Sequence, residues 1–145
     1  GKRTWTVSPD AFAAQMTYLA EQGWHSISPQ QMADYFDGGA PLPPKSIIIS
    51  MDDGHKAIYT IAYPIFVKTE LRPLLFIVLE YMEFPACLDW PQLEELVAHG
   101  FMVGSHSYDH SNLRKVDDDA LEEQIGGSKD QLVERLGITI DAFLV

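Results

Sequence analysis

The sequence predicts an α/β domain of parallel strands joined by helical crossovers, on three observations. Short, nearly continuous apolar runs rich in β-branched and aromatic residues stand at 46–51, 74–79 and 101–105, with a fourth candidate at 138–145. Strands buried on both faces of a sheet require such runs. Segments with helical apolar spacing and cap signals fall between them, so the order after residue 45 reads β, α, β, α, β, α, β. The length of 145 residues suits one core rather than two.

Ahead of the first strand, Ser8 followed by Pro9 is an N-cap with proline at the first helical position. Phe12, Met16 and Leu19 share a face, and Gly23 is the stop. Ser28, Pro29 and Gln31 repeat the start as a capping box before Met32 and Phe36, and Asp37-Gly38-Gly39 ends that short helix. The proline-rich stretch 40–44 is a loop. From His55 to about Lys68, Ile58, Ile61, Ala62 and Ile65 fall on one helical face, with a new turn or kink at Pro64. Asp89 with Gln92 caps a helix carrying Leu93, Leu96 and Val97, closed at His99-Gly100. A long helix begins at Asp117 to Asp119, carries Leu121, Ile125, Leu132 and Leu136, weakens at Gly126-Gly127 and stops at Gly137.

Composition narrows the function classes. Hydrophobic residues at 46% and charged residues at 21% are those of a globular chain. No apolar run reaches the roughly 18 residues of a membrane span. Were the protein exported, this sequence is expected to be its mature part. Ten Lys and Arg against 21 Asp and Glu give a net charge of -11, which repels phosphate backbones, so no nucleic-acid partner is expected. The single cysteine, Cys87, rules out an intrachain disulfide framework and reads as a small apolar filler.

In parallel sheets the chemistry lies at the carboxyl ends of the strands. One such end carries Asp52 and Asp53 before Gly54; another carries His106 and His110, four residues apart. Two imidazoles and one carboxylate leave open positions on Zn, Fe, Co, Ni or Mn, as a metal that also holds water or substrate requires. A second carboxylate beside them can take a proton from the activated water. Side chains of adjacent extended residues diverge, so Asp52 and Asp53 should have different tasks. His25 and His99 need no functional role, and His55 reads as a solvated first-turn residue or a contact at the rim of the site. An Asp-Asp-Gly turn or a solvated His pair is common alone; both at one sheet edge favour the functional reading.

Ser50-Met51-Asp52-Asp53-Gly54 resembles the Thr-Phe-Asp-Asp-Gly first motif of the polysaccharide deacetylases, the NodB-homology domains of carbohydrate esterase family four, and residues 106–110 resemble their His-Ser/Thr-x-x-His second motif. The flanking segments at 12–28, 42–46 and 99–101 are similar to the branch that deacetylates poly-β-1,6-N-acetylglucosamine in biofilms. The resemblance implies a distorted (β/α) barrel, of which residues 1–145 would be the N-terminal portion. It implies Asp52 as general base and Asp53, His106 and His110 as ligands of a divalent metal, Zn ahead of Co, Ni, Mn or Fe. Ser107 would steady the second-motif loop by hydrogen bonding near His110.

The implied reaction is hydrolysis of N-acetyl groups on an N-acetylglucosamine polymer, releasing acetate in the cell envelope or outside the cell. Peptidoglycan or chitin oligomers are the alternative substrates, an inert glycan-binding domain the alternative function, and a non-haem iron oxygenase a weaker third. Ser50-Met51 departs from Thr-Phe without removing a reacting atom. The family's third motif, which helps hold the oxyanion, and the histidine general acid would fall after Val145. The domain is thus expected to be truncated before its third motif. The apolar stretch 81–88 is expected to form a hydrophobic rim that contacts the cell surface, with core packing as the alternative. The acidic surface would suit a cationic, partly deacetylated product.

Overall fold

The computed structural model describes residues 7–145. Helix α1 (Pro9–Glu21) starts where Ser8 Oγ accepts the Ala11 amide at 3.2 Å, and α2 (Pro29–Phe36) carries the reciprocal Ser28 and Gln31 capping bonds. Between them lies β1 (His25–Ser26), a strand too short for periodicity to reveal, which pairs in parallel with β2 (Ser46–Ile47). The apolar run 46–51, expected as one strand, is therefore split. Its first half pairs with β1, while β3 (Ser50–Met51) pairs in parallel with β4 (Leu74–Ile77). A continuous apolar run does not say which strand lies alongside, and burial on both faces, also expected of this run, is not reached: its isoleucines are half-buried and Ser50 is exposed.

The predicted strand at 74–79 ends two residues early, in a 3₁₀ turn at Leu79–Glu83. Strand β4 is central, bonded in parallel to β3 on one side and to β5 (Met102–Ser105) on the other, with Phe76 opposite Gly104 and Ile77 opposite Ser105. The segment expected as a fourth strand makes a single parallel bridge, Phe143 to Ser105, with bonds from Ser105 N to Ala142 O at 3.0 Å and from Leu144 N to Ser105 O at 2.9 Å. Among the described residues it extends no further as a ladder.

Each crossover is helical. A π turn at Ile58–Ala62 runs without a break into α3 (Tyr63–Thr69), and Pro64, which has no N–H to give the preceding turn, stands just past the junction, where a kink is expected. Helix α4 (Trp90–Ala98) opens on the Asp89 and Gln92 capping box. The long helix starts as α5 (Asp118–Glu122), widens to a π turn at Glu123–Gly127 over the expected weak point, and resumes as α6 (Ser128–Leu136).

Leu75, Ile77, Leu88, Leu93, Leu96 and Leu132 are fully buried, so β4 lies in one core with α4 and α6. Phe66 meets Phe12 and Phe101 edge to face at 5.6 Å, which fastens α3 to α1 and to the start of β5. Of the stretch 81–88, Met82, Cys87 and Leu88 enter the core, whereas Phe84 is exposed and stacks on Tyr81. Among the described residues no helix is long and apolar enough to cross a membrane.

Candidate metal centre

The strand order β3-β4-β5 sets the carboxyl ends of β3 and β5 on one edge with β4 between them. Past β3 the chain turns sharply, with Asp53 at φ 65° and Gly54 at φ 70°. Past β5 it coils through Ser107 at φ 69° and His110 at φ 65°. Among the described residues five non-glycine positions have positive φ, and three of them, Asp53, Ser107 and His110, belong to these two loops. Such backbone persists where surrounding contacts over-determine it, which happens often at functional sites.

The two loops bring Asp53, His106 and His110 together, one ligand atom from each lying within 4.8 Å of the others. His106 Nε2 is 3.0 Å from His110 Nε2 and 3.5 Å from Asp53 Oδ1, and His110 Nε2 is 3.9 Å from the same oxygen. A tetrahedral ion with bonds of about 2.0 to 2.1 Å sets its ligand atoms about 3.3 to 3.4 Å apart. The three observed separations bracket that value, so the donor set fits a divalent metal.

The surroundings suit it as well. His106 Nδ1 lies 3.0 Å from Leu144 O, and a carbonyl can only accept, so Nδ1 carries the proton and Nε2 presents its lone pair to the cluster. Ser107 is buried, and its Oγ accepts the His110 amide at 3.0 Å. Tyr81 stacks on the His110 ring at 6.2 Å. An open cleft of about 450 Å³ beside the histidines is lined by Ser111, Arg114 and Leu144 among others.

Asp52 is exposed and stands outside the three-donor cluster, lining an apolar groove of about 330 Å³ with Met51, His55 and Ile58. His55 is also outside the cluster, with Nε2 3.6 Å from Asp53 Oδ2. His25 lies in β1, and His99 Nδ1 is 2.9 Å from Glu95 O at the end of α4. Bonds from Ser111 hold the Asp109 carboxyl below the usual range, and burial, with Asp53 nearby, pushes the Cys87 thiol up.

Sequence reasoning missed a buried polar set beneath the second loop. Gln124 Oε1 accepts the amides of Tyr108 and Asp109 at 3.1 and 3.2 Å, and Ser105 Oγ meets Ser128 Oγ at 2.7 Å. The available signal was a Gln and a Ser, four apart, on the inward face of a helix whose other inward positions are apolar.

Comparison with known proteins follows the same lines. The sequence profile described as polysaccharide deacetylase matches residues 39–145. Over 64 residues the chain is 34% identical to the poly-β-1,6-N-acetyl-D-glucosamine N-deacetylase of Escherichia coli (strain K12), covering 44% of this chain and 10% of that protein. It is 25% identical over 118 residues to YxkH of Bacillus subtilis (strain 168), whose name assigns it provisionally to the polysaccharide deacetylases; that match covers 81% of this chain and 42% of YxkH. The chain thus spans less than half the length of these curated relatives.

Among solved structures, IcaB from Ammonifex degensii superposes with a TM-score of 0.81 at 27% identity, over 99% of this chain and 68% of that one. The Streptococcus pyogenes deacetylase PplD, solved with acetate, shares the fold with a TM-score of 0.89 at 24% identity, over 94% of this chain and 62% of that one. With the profile extending over well beyond half of its residues, the chain belongs to the polysaccharide deacetylase family.

Proposed function

We propose that the chain carries the metal-binding and base residues of a metal-dependent N-deacetylase acting on a polymer of N-acetylglucosamine. The observation that carries this reading is the convergence of Asp53 Oδ1, His106 Nε2 and His110 Nε2 at the carboxyl edge of a parallel sheet. A divalent ion held there, Zn ahead of Co, Ni, Mn or Fe, would supply Lewis acidity toward the acetamide carbonyl and acidify water.

The protein's own groups would do the rest. Leu144 O fixes the His106 tautomer, and Ser107 Oγ ties down the amide of His110, so both imidazoles are held ready. Asp52, exposed and outside the donor cluster, is free to take the proton of the attacking water as the new C–O bond forms. Transfer of that proton to the nitrogen as the C–N bond breaks balances the step and releases acetate and the free glucosamine amine. The polymer is suggested by the activity for which the Escherichia coli relative is named and by the flanking segments at 12–28, 42–46 and 99–101. Such a substrate places the protein in the cell envelope or outside the cell, and a net charge of -11 favours a glycan over nucleic acid as partner.

The test pairs zinc affinity, by competition with a chelator, with acetate release from β-1,6-linked N-acetylglucosamine oligomers. Asp53→Ala, His106→Ala and His110→Ala should each lose zinc affinity by roughly 10² or more, since each removes one of only three ligands. Asp52→Asn should bind zinc as the wild type does and lose roughly 10² to 10⁴ of turnover. Zinc binding indifferent to all three ligand substitutions overturns the metal reading. Oligomer binding with no acetate released by the zinc-loaded protein, extended past Val145 to include the family's third motif and general acid, identifies an inert glycan-binding domain instead.

A further inference from the structure

We propose that Gln124 is a positioning residue for the metal-ligating loop and that the π turn carrying it serves to deliver it there; this rests on the reading of His106 and His110 as ligands. The loop from His106 to His110 contains two left-handed non-glycine residues, so it keeps its shape only if its polar backbone is satisfied at every step. All five of its amides have an acceptor. His106 N donates to Ile77 O at 2.8 Å, Ser107 N to Ser105 Oγ at 3.3 Å, and His110 N to Ser107 Oγ at 3.0 Å. The middle two, Tyr108 N and Asp109 N, both donate to Gln124 Oε1. Gln124 is only 6% exposed, so no bulk water stands ready to replace that oxygen.

A second connection runs through the helix backbone. Ser107 N donates to Ser105 Oγ, Ser105 Oγ lies 2.7 Å from Ser128 Oγ, and Ser128 Oγ donates to Gln124 O at 2.7 Å. With the Ser128 hydrogen on Gln124 O, the Ser105 hydroxyl must donate to Ser128. The chain then has one direction, each bond polarising the next. The π turn makes this possible: the Ser128 amide reaches back five residues to Glu123 O, and Gln124 and Ser128 both face the loop. An insertion of this kind in a helix recurs at functional sites. One residue therefore holds the loop twice, by side chain and by carbonyl, next to the ligand His110.

The variants that isolate this role are Gln124→Leu, which keeps bulk and loses the acceptor, and Gln124→Glu, which keeps an acceptor oxygen. Three quantities are compared with the wild type: zinc affinity by chelator competition, the visible spectrum of the Co(II)-loaded protein, and hydrogen exchange at the Tyr108 and Asp109 amides without metal. Gln124→Leu should lose about 10- to 100-fold in zinc affinity, shift the cobalt bands and exchange both amides faster, while Gln124→Glu, which keeps the acceptor but sets a carboxyl beside that of Asp109, should recover part of the amide protection and of the affinity. A folded Gln124→Leu with wild-type affinity, spectrum and exchange overturns the proposal. Should Gln124→Leu fail to fold, Ser128→Ala cuts the backbone arm alone, and unchanged exchange and affinity there overturn it equally. If the wild type binds no zinc or cobalt, the metal reading fails by itself, and the exchange rates at 108 and 109 alone decide whether Gln124 holds the loop.

Discussion

His106, His110 and Asp53 are legible in the sequence because imidazoles and carboxylates at strand ends are few and have little structural reason to be there. Gln124 is far less so, since its one signal is its place with Ser128 on the apolar face of a helix, which says that it is covered but not that a loop covers it. Cys87 illustrates a residue whose environment, rather than its type, decides its behaviour. It is 5% exposed, and its thiol is pushed up first by burial and then by the nearby Asp53 charge. The thiolate is the reactive form, so both effects suppress alkylation. Iodoacetamide at pH 8 should modify native Cys87 at least about 10² times more slowly than the urea-unfolded chain, reaction proceeding only through local opening. Labelling at the same rate in both states would show the thiol to be open to solvent.

At the scale of elements, β5 shows how one small residue sets a site it does not touch. Gly104 lies opposite Phe76, and a Cβ there would meet Phe76 Cε1 at 2.7 Å and Ala142 O at 2.9 Å, one a ring wedged in the sheet and the other backbone. Gly104→Ala must therefore part β5 from β4 or from the 142–144 segment, at about 1 to 3 kcal/mol. It should also weaken zinc binding, because Leu144 O orients His106 from that segment. Gly126 in the π turn is the contrast: its Cβ would meet only Glu122 Cγ, at 3.9 Å. Gly126→Ala should stabilise by about 0.4 to 1 kcal/mol through the unfolded chain. Urea midpoints moving in opposite directions for the two variants are the expected result.

Element type was readable wherever local chemistry determines it, as in the N-caps at Ser8, Ser28, Asp89 and Asp117. Strand partnership was not. The run 46–51 changes partner halfway and 138–145 makes a single bridge among the described residues, and both outcomes are set by neighbours distant in sequence.

For the whole molecule, the metal and the fold should be one thermodynamic system. The proposed ligands come from the loop after β3 and the loop after β5, and the Leu144 segment supports one of them, so an ion would tie together parts of the chain that unfolding separates. At a free zinc concentration 100 times its dissociation constant, linkage adds about 2.7 kcal/mol. For a domain of this size that raises Tm by roughly 8 °C. A chain of net charge -11 complicates the measurement, because any divalent cation relieves some of its self-repulsion. Magnesium separates the two effects: it relieves repulsion as zinc does, but prefers oxygen ligands and leaves imidazoles to softer metals. The specific part is therefore the excess of the zinc shift over the magnesium shift. That excess should vanish in His106→Ala and reverse with EDTA. Equal shifts with zinc and magnesium, persisting in His106→Ala, would mean that the acidic surface, and not the three converging ligands, is what divalent ions recognise.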